Sequence, residues 1–330
     1  MLKVSKEKYN KLLKLSNSEN IISALAIDQR GSLKKMIDSQ EDSDLITFKK
    51  LISKYLTPFS SSILLDPEYG LPASKERDAE SGLILAYEET GYDASSEERY
   101  PDLLDVWSVR RLKEYGADAV KVLLYYDVDA KEEVNERKQA FVERVGYECD
   151  AADIPYFLEI VTYDTQIADT KGKEYAKLIP KKVIEAMKLF SEEQYKVDVL
   201  KVETPINMNF VEGYATSSND VVYSREEAKS LFKEQSDSTH LPYIFLSAGV
   251  TAKVFQETIK LAGEAEAQFN GVLCGRATWK ESTGVFAQET DKDYADTINW
   301  LNSSGKENIE ALNSVLNRNA VPWTEKVQSI

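Results

Sequence analysis

The chain has 330 residues, 42% hydrophobic and 29% charged, the composition of an ordinary globular protein with enough length for a substantial core. A formal net charge of −15 excludes the basic footprint that a nucleic acid or an acidic membrane surface needs, so an anionic ligand must be caught locally. One histidine and two widely separated cysteines, Cys149 and Cys274, exclude a multi-histidine metal centre, a zinc cluster and a disulfide framework, so neither metal nor cofactor is expected.

In chain order, the opening MLKVSKEKYNKLLKLSN is lysine-rich and broken by charge every few residues, unlike the apolar centre of a signal peptide. No run reaches membrane-spanning length, and the expectation is a cytoplasmic protein. Short apolar runs then recur: IISALAI (21–27), SSILLD (61–66), GLILAYE (82–88), ADAVKVLLYY (117–126), PYFLEIV (155–161), VDVLKVE (197–203), PYIFLSA (242–248) and NGVLCG (270–275). Between them lie helical spacings. Leu45, Phe48, Leu51, Ile52, Tyr55 and Leu56 form one apolar face after the first run. Val183, Ile184, Met187 and Phe190 form another, and Val254, Phe255, Thr258, Ile259 and Ala262 a third before the last run. Eight strands alternating with helices predict a (β/α)8 TIM barrel, one domain over residues 1–330, with the polar helical segment after 280 packed outside it. A doubly wound open sheet is the alternative, weakened because no GxGxxG follows the first strand.

The sixth run raises a chemical question. In VDVLKVETPI, Lys201 and Glu203 share the face of Val199 on a strand whose neighbours read as core. Glu159 shares a face with Phe157 and Val161, and Lys121 with Ala119 and Leu123. Lysine and glutamate are almost never buried unpaired. An ion pair lining the barrel explains any one of these strands, but three consecutive strands carrying inward charge point to chemistry. A desolvated lysine beside another cation is partly free amine near neutral pH and can attack a carbonyl to form a Schiff base. Lys201 and Lys121 supply that arrangement, Glu159 would move protons during dehydration, and Asp28, after the first strand, would take a substrate hydroxyl proton.

Ser247, Ala248 and Gly249 open the turn after the seventh strand, and Gly275 with Arg276 closes the eighth. Loops at these two places in a barrel commonly hold phosphate through backbone N–H groups, and the arginine adds a planar fork. A sugar phosphate is therefore the expected ligand. His240 precedes LPY at a strand entry, where a plain structural role is expected.

The set AIDQRGSL, VKVLLYY, FLEIV, DVLKVETP, FLSAG and CGRATW resembles the class I tagatose-1,6-bisphosphate aldolases of the bacterial tagatose-6-phosphate route for lactose and galactose, over nearly the whole chain. The resemblance implies Lys201 as the Schiff-base lysine, Glu159 as the proton-transfer group, and Lys121 and Asp28 as partners. It also implies Ser247, Gly249, Gly275 and Arg276 at the one-phosphate; Gln29, beside Asp28 after the first strand, and Ala248 in the turn complete the expected substrate-binding set. Products would be dihydroxyacetone phosphate and glyceraldehyde 3-phosphate, discrimination at C4 would be loose, and the protein would be a homo-oligomer, dimer or tetramer. Two other readings stand beside it: a lyase of the same mechanism for another ketose phosphate, such as a sulfonated sugar phosphate, and a phosphosugar-binding sensor or interaction protein. Muscle-type aldolases use a carboxyl-terminal tyrosine, whereas this chain ends TEKVQSI, so that role does not carry over. Glu203 is left between substrate contact and salt bridge. For the six-phosphate, Arg30, Lys75 and Arg77 are open candidates whose ordinary state is surface solvation.

Overall fold

The architecture is that of a computed structural model, which describes residues 1–89 and 96–330. The chain starts with strand β1 (Leu2–Val4), followed by the barrel strands β2 (Ile22–Ala26), β3 (Ser62–Leu65), β4 (Gly82–Ala86) and β5 (Ala119–Tyr126). Then come β6 (Tyr156–Thr162), β7 (Val199–Val202), β8 (Tyr243–Leu246) and β9 (Gly271–Cys274), and β10 (Val327–Ser329) ends the chain. Strands β2 to β9 close in sequence order into one barrel, every pair parallel. The expected eight-stranded TIM barrel is thus the observed fold, and all eight apolar runs are its strands.

Alternation along the strands sorts the side chains. Leu25, Ile63, Leu65, Leu83, Val120, Leu158, Leu200, Phe245 and Val272 face outward into the helical layer, and Ile22, Ala24, Ala26, Leu64, Ile84, Ala86, Ala119, Phe157, Val199, Ile244 and Leu273 fill the interior. The seam between β2 and β9 requires a glycine: Gly271 has φ +140°, and a Cβ there would meet the Ile22 carbonyl oxygen at 2.0 Å. The expected helices are present as Asp42–Leu56, Ile179–Phe190 and Ala252–Glu264.

The amino-terminal end of the barrel is plugged by elements that periodicity did not reveal. Helix Lys6–Lys14, capped by Ser5, contributes Leu12, with Leu15 just beyond its end; Val4, Trp323 and Val327 complete the plug against the interior residues. Strands β1 and β10 pair in parallel, Leu2 opposite Val327, so the two chain ends meet beneath the barrel. Trp323 is fully buried, its indole N–H donating to Ser16 Oγ at 2.6 Å. Such a side chain is worth roughly 3–5 kcal/mol against alanine.

After residue 280, helices Ser282–Gln288, Ala295–Trp300 and Lys306–Asn319 pack outside the barrel, as expected. Phe48 anchors them with edge-on contacts to Trp279 and Phe286, 6.0 and 5.1 Å between ring centroids, and Trp279 donates to the Ala26 carbonyl at 2.8 Å. No helix among the described residues is long and apolar enough to cross a membrane.

Candidate active site

Above the apolar interior, the inward rows of the strands turn polar. Lys121 on β5, Glu159 on β6 and Lys201 on β7 are 1%, 9% and 4% exposed, and Glu159 and Lys201 are direct register partners. Glu159 joins the two lysines: one carboxylate oxygen lies 2.7 Å from Lys201 Nζ and the other 2.7 Å from Lys121 Nζ. Asp28, just past β2, reaches Lys121 at 2.9 Å. The residues that parity aimed inward therefore meet in one cluster.

Lys121 has a further partner that the sequence reading left out. Glu88, just past β4, accepts from its ammonium at 2.6 Å and is 5% exposed. The signal was available, since Glu88 continues the inward row of Ile84 and Ala86 by the same alternation that singled out Glu159. Three carboxylates on one ammonium decide its state. Burial opposes the charge on Lys121, but Asp28, Glu159 and Glu88 outweigh it and hold its pKa well above the ordinary lysine value. Lys121 is thus held toward its ammonium form beside Lys201.

The carboxylates divide. Burial would raise Asp28 and Glu159, yet Lys121 and Lys201 overcome it and hold both below the usual carboxylate range. For Glu88, burial wins: it pushes the pKa up, Asp28 adds to the effect, and the Lys121 ammonium does not compensate. The Glu88 oxygen not bound to Lys121 is buried without a hydrogen-bond partner among the described residues.

A second layer fixes these acids. Lys49, fully buried on helix Asp42–Leu56, pairs with Asp66 and donates to the Ile27 carbonyl at 3.0 Å, immediately before Asp28. Arg30 donates to the Glu88 carbonyl at 3.0 Å and lies 3.6 Å from Asp66 and 2.8 Å from Glu68. Sequence reasoning left Arg30 as a solvated loop cation; it is 3% exposed, because three acidic or carbonyl groups draw it inward. Arg77 donates to the Ser81 and Ser74 carbonyls; Ser81 directly precedes β4, so Arg77 sits at the amino-terminal end of the barrel, remote from the lysines. Lys75 is exposed at the end of the short helix Leu71–Ser74 leading there.

The turn after β8 carries two successive left-handed residues, Ala248 at φ +48° and Gly249 at φ +75°, closed by Val250 N–H donating to the Ser247 carbonyl at 3.1 Å. A non-glycine in that region costs energy and is a recurring mark of ligand-binding turns. The Arg276 guanidinium lies across Gly249, 3.0 Å from where a Cβ would stand, and Arg276 itself is exposed. A Cβ at Gly275 would meet the Ala26 carbonyl at 2.9 Å and Gln29 Nε2 at 3.6 Å, which brings Gln29 to the same side. Ser247 is buried, and Thr251 caps helix Ala252–Glu264 by accepting from Val254 N–H. The turn and the guanidinium thus lie together beyond the carboxyl ends of β8 and β9, a setting of backbone N–H groups and a planar fork that suits an anion.

Glu203 makes no salt bridge among the described residues: one oxygen accepts from the Thr162 N–H and hydroxyl, both at 2.7 Å. His240 is exposed just before β8, at the amino-terminal end. Cys149 and Cys274 are free and buried.

Residues 22–281 match the family described as DeoC/LacD family aldolase. The chain is 57% identical over 332 aligned positions to tagatose 1,6-diphosphate aldolase 2 of Enterococcus faecalis, covering 99% of both chains. It is 54% identical to the tagatose 1,6-diphosphate aldolase of Lactococcus lactis, covering 98% of this chain and 99% of that one. Among solved structures, the fructose-bisphosphate aldolase of Plasmodium falciparum superposes with a TM-score of 0.71 at 16% identity, covering 96% of this chain and 95% of that one, a likeness of fold.

Proposed function

We propose, from the premise that this chain belongs to the DeoC/LacD family of aldolases, that it cleaves tagatose 1,6-bisphosphate to dihydroxyacetone phosphate and glyceraldehyde 3-phosphate through an imine on Lys201. The observation that carries the assignment of roles is the Glu159 carboxylate, 2.7 Å from each of two buried ammoniums. Among the described residues Lys201 has one carboxylate partner, which it shares with Lys121, whereas Lys121 has three, so Lys201 is the lysine less enclosed by ion pairs. As free amine it attacks the C2 carbonyl, and Glu159, already bridging both nitrogens, passes protons as the carbinolamine loses water. The protonated imine then draws the electrons of the C3–C4 bond, while the C4 hydroxyl releases its proton to a carboxylate of the Lys121 cluster. Lys121 remains charged throughout and keeps that cluster ionised and oriented.

The one-phosphate binds at the turn Ser247–Gly249 and at Gly275 and Arg276. Ala248 and Gly249 have left-handed backbone, a geometry suited to presenting successive N–H groups to an anion, and the arginine lies across the glycine. Borohydride added with dihydroxyacetone phosphate tests the reading, since only an imine is trapped. The expected result is inactivation with one reduced adduct on Lys201 by peptide mass mapping. An adduct on Lys121 alone would exchange the two roles, and no adduct would remove the imine.

A further inference from the structure

We propose that Glu88 is a catalytic residue of the carbon–carbon cleavage, accepting the proton of the substrate's C4 hydroxyl on the carboxylate oxygen that Lys121 leaves free. The inference rests on the imine reading above and assigns the base within it. Three carboxylates surround Lys121, and their oxygens are differently committed. Glu159 has both oxygens on ammoniums, 2.7 Å from each, and moving either would break the bridge between the lysines. Asp28 is bound to Lys121 at 2.9 Å and lies in the field of Lys201 and Lys49 as well. Glu88 touches Lys121 through one oxygen at 2.6 Å, and its other oxygen is the one carboxylate oxygen of the three that is buried without a partner among the described residues. A buried acceptor left unsatisfied costs about 1–3 kcal/mol, more when charged, and is retained where a ligand or a proton completes it.

The backbone makes Glu88 a rigid base. Its carbonyl accepts from the buried Arg30, which is itself held by Asp66 and Glu68. Glu88 bridges Leu103 in antiparallel fashion, and the flanking Tyr87 and Glu89 N–H groups donate to Lys121 and Asp102 carbonyls, both at 2.9 Å. Basicity points the same way. Asp28 and Glu159 are held down by their lysines, whereas burial and Asp28 push Glu88 up, which makes it the strongest base of the three once ionised.

The step balances within the site. The O4–H bond breaks and its proton passes to the free Glu88 oxygen; the O4–H pair forms the C4 carbonyl of the departing aldehyde. The C3–C4 pair becomes the C2–C3 double bond, and the iminium π pair returns to nitrogen as the enamine lone pair. In condensation the same proton returns to O4.

The test separates cleavage from the partial reactions that lack a C4 hydroxyl. Glu88→Gln should lower kcat for ketose 1,6-bisphosphate cleavage by about 100- to 10,000-fold. Imine trapping and exchange of the dihydroxyacetone phosphate C3 hydrogen with solvent should stay within a few-fold of wild type. The acid limb of the wild-type kcat–pH profile should be absent in the variant. Glu88→Asp, which keeps the charge against Lys121 but shortens the reach, should fold normally and show the same selective loss, so a poorly folding Gln variant leaves the test intact. Cleavage within three-fold of wild type in either variant overturns the proposal. Equal losses in cleavage and in C3 exchange also overturn it, by making Glu88 a positioning residue for Lys121. Wild-type enzyme that forms no imine would instead refute the imine reading itself.

Discussion

Replacing Lys121 by methionine removes one cation from three buried carboxylates, and the expected consequence is both large and pH-dependent. Its contacts of 2.6, 2.7 and 2.9 Å each represent about 6 kcal/mol of gross attraction at an effective dielectric near ~20. Repulsion among the carboxylates and the desolvation of a 1%-exposed ammonium offset most of this. Removing one partner of a buried pair leaves a net cost of about 3–5 kcal/mol. In wild type, Asp28 and Glu159 have lowered pKa values, so their contribution is present above the unfolded carboxylate value and lost as pH falls through the folded one. Without Lys121, the buried carboxylates instead titrate above the unfolded value. Their folded form is then favoured at low pH and loses ground as pH rises. Urea unfolding followed by circular dichroism should therefore show a deficit of about 3–5 kcal/mol at pH 7 that shrinks toward pH 5. A deficit below about 1 kcal/mol, or one that does not change with pH, would show that the cluster is not electrostatically coupled as described.

Arg276→Ala should lower kcat/KM by roughly 30- to 1000-fold, since a charge-assisted phosphate contact is worth about 2–4 kcal/mol; lysine should rescue only in part. A substrate lacking the one-phosphate should be cleaved almost equally by wild type and variant, and an equal penalty on both substrates would take Arg276 out of the phosphate site. Tagatose and fructose 1,6-bisphosphates should both be cleaved, and a preference beyond about a thousandfold, roughly 4 kcal/mol, would require a dedicated hydrogen bond to one C4 hydroxyl. Under the barrel, burial lowers the pKa of Lys326 to about 8, where it lies 4.7 Å from the Tyr243 ring centroid and donates to the Leu241 carbonyl. Its folded pKa is below the unfolded one, so the cost of burying its charge is full below pH 8 and fades toward the ordinary lysine value. The melting temperature of Lys326→Met relative to wild type should therefore be highest near pH 7 and fall as pH rises from 8 to 10; a difference unaffected by pH would contradict it.

The local pattern of the chain determines the eight strands and their inward faces, because strand alternation is a local property. Lys121, Glu159 and Lys201 were legible for that reason: each interrupts an apolar row at a position that can point only inward. The same rule applies to Glu88 at the end of GLILAYE, which the sequence reading left out. Barrel closure decided the rest. The mutual register of β4, β5 and β6 brings Glu88 and Glu159 onto the Lys121 ammonium, and closure of the barrel brings Asp28, just past β2, across to it. Arg30 and Arg77 look alike as loop arginines. One is drawn under the site by Asp66 and Glu68, and the other is held by carbonyls at the opposite end of the barrel. The plug of Val4, Leu12 and Trp323 joins the two ends of the chain through a three-residue strand pair, too short for any periodicity to register. Which charge finds which partner is set by through-space distance in a low-dielectric interior, and that distance exists only once the last strand has closed on the first.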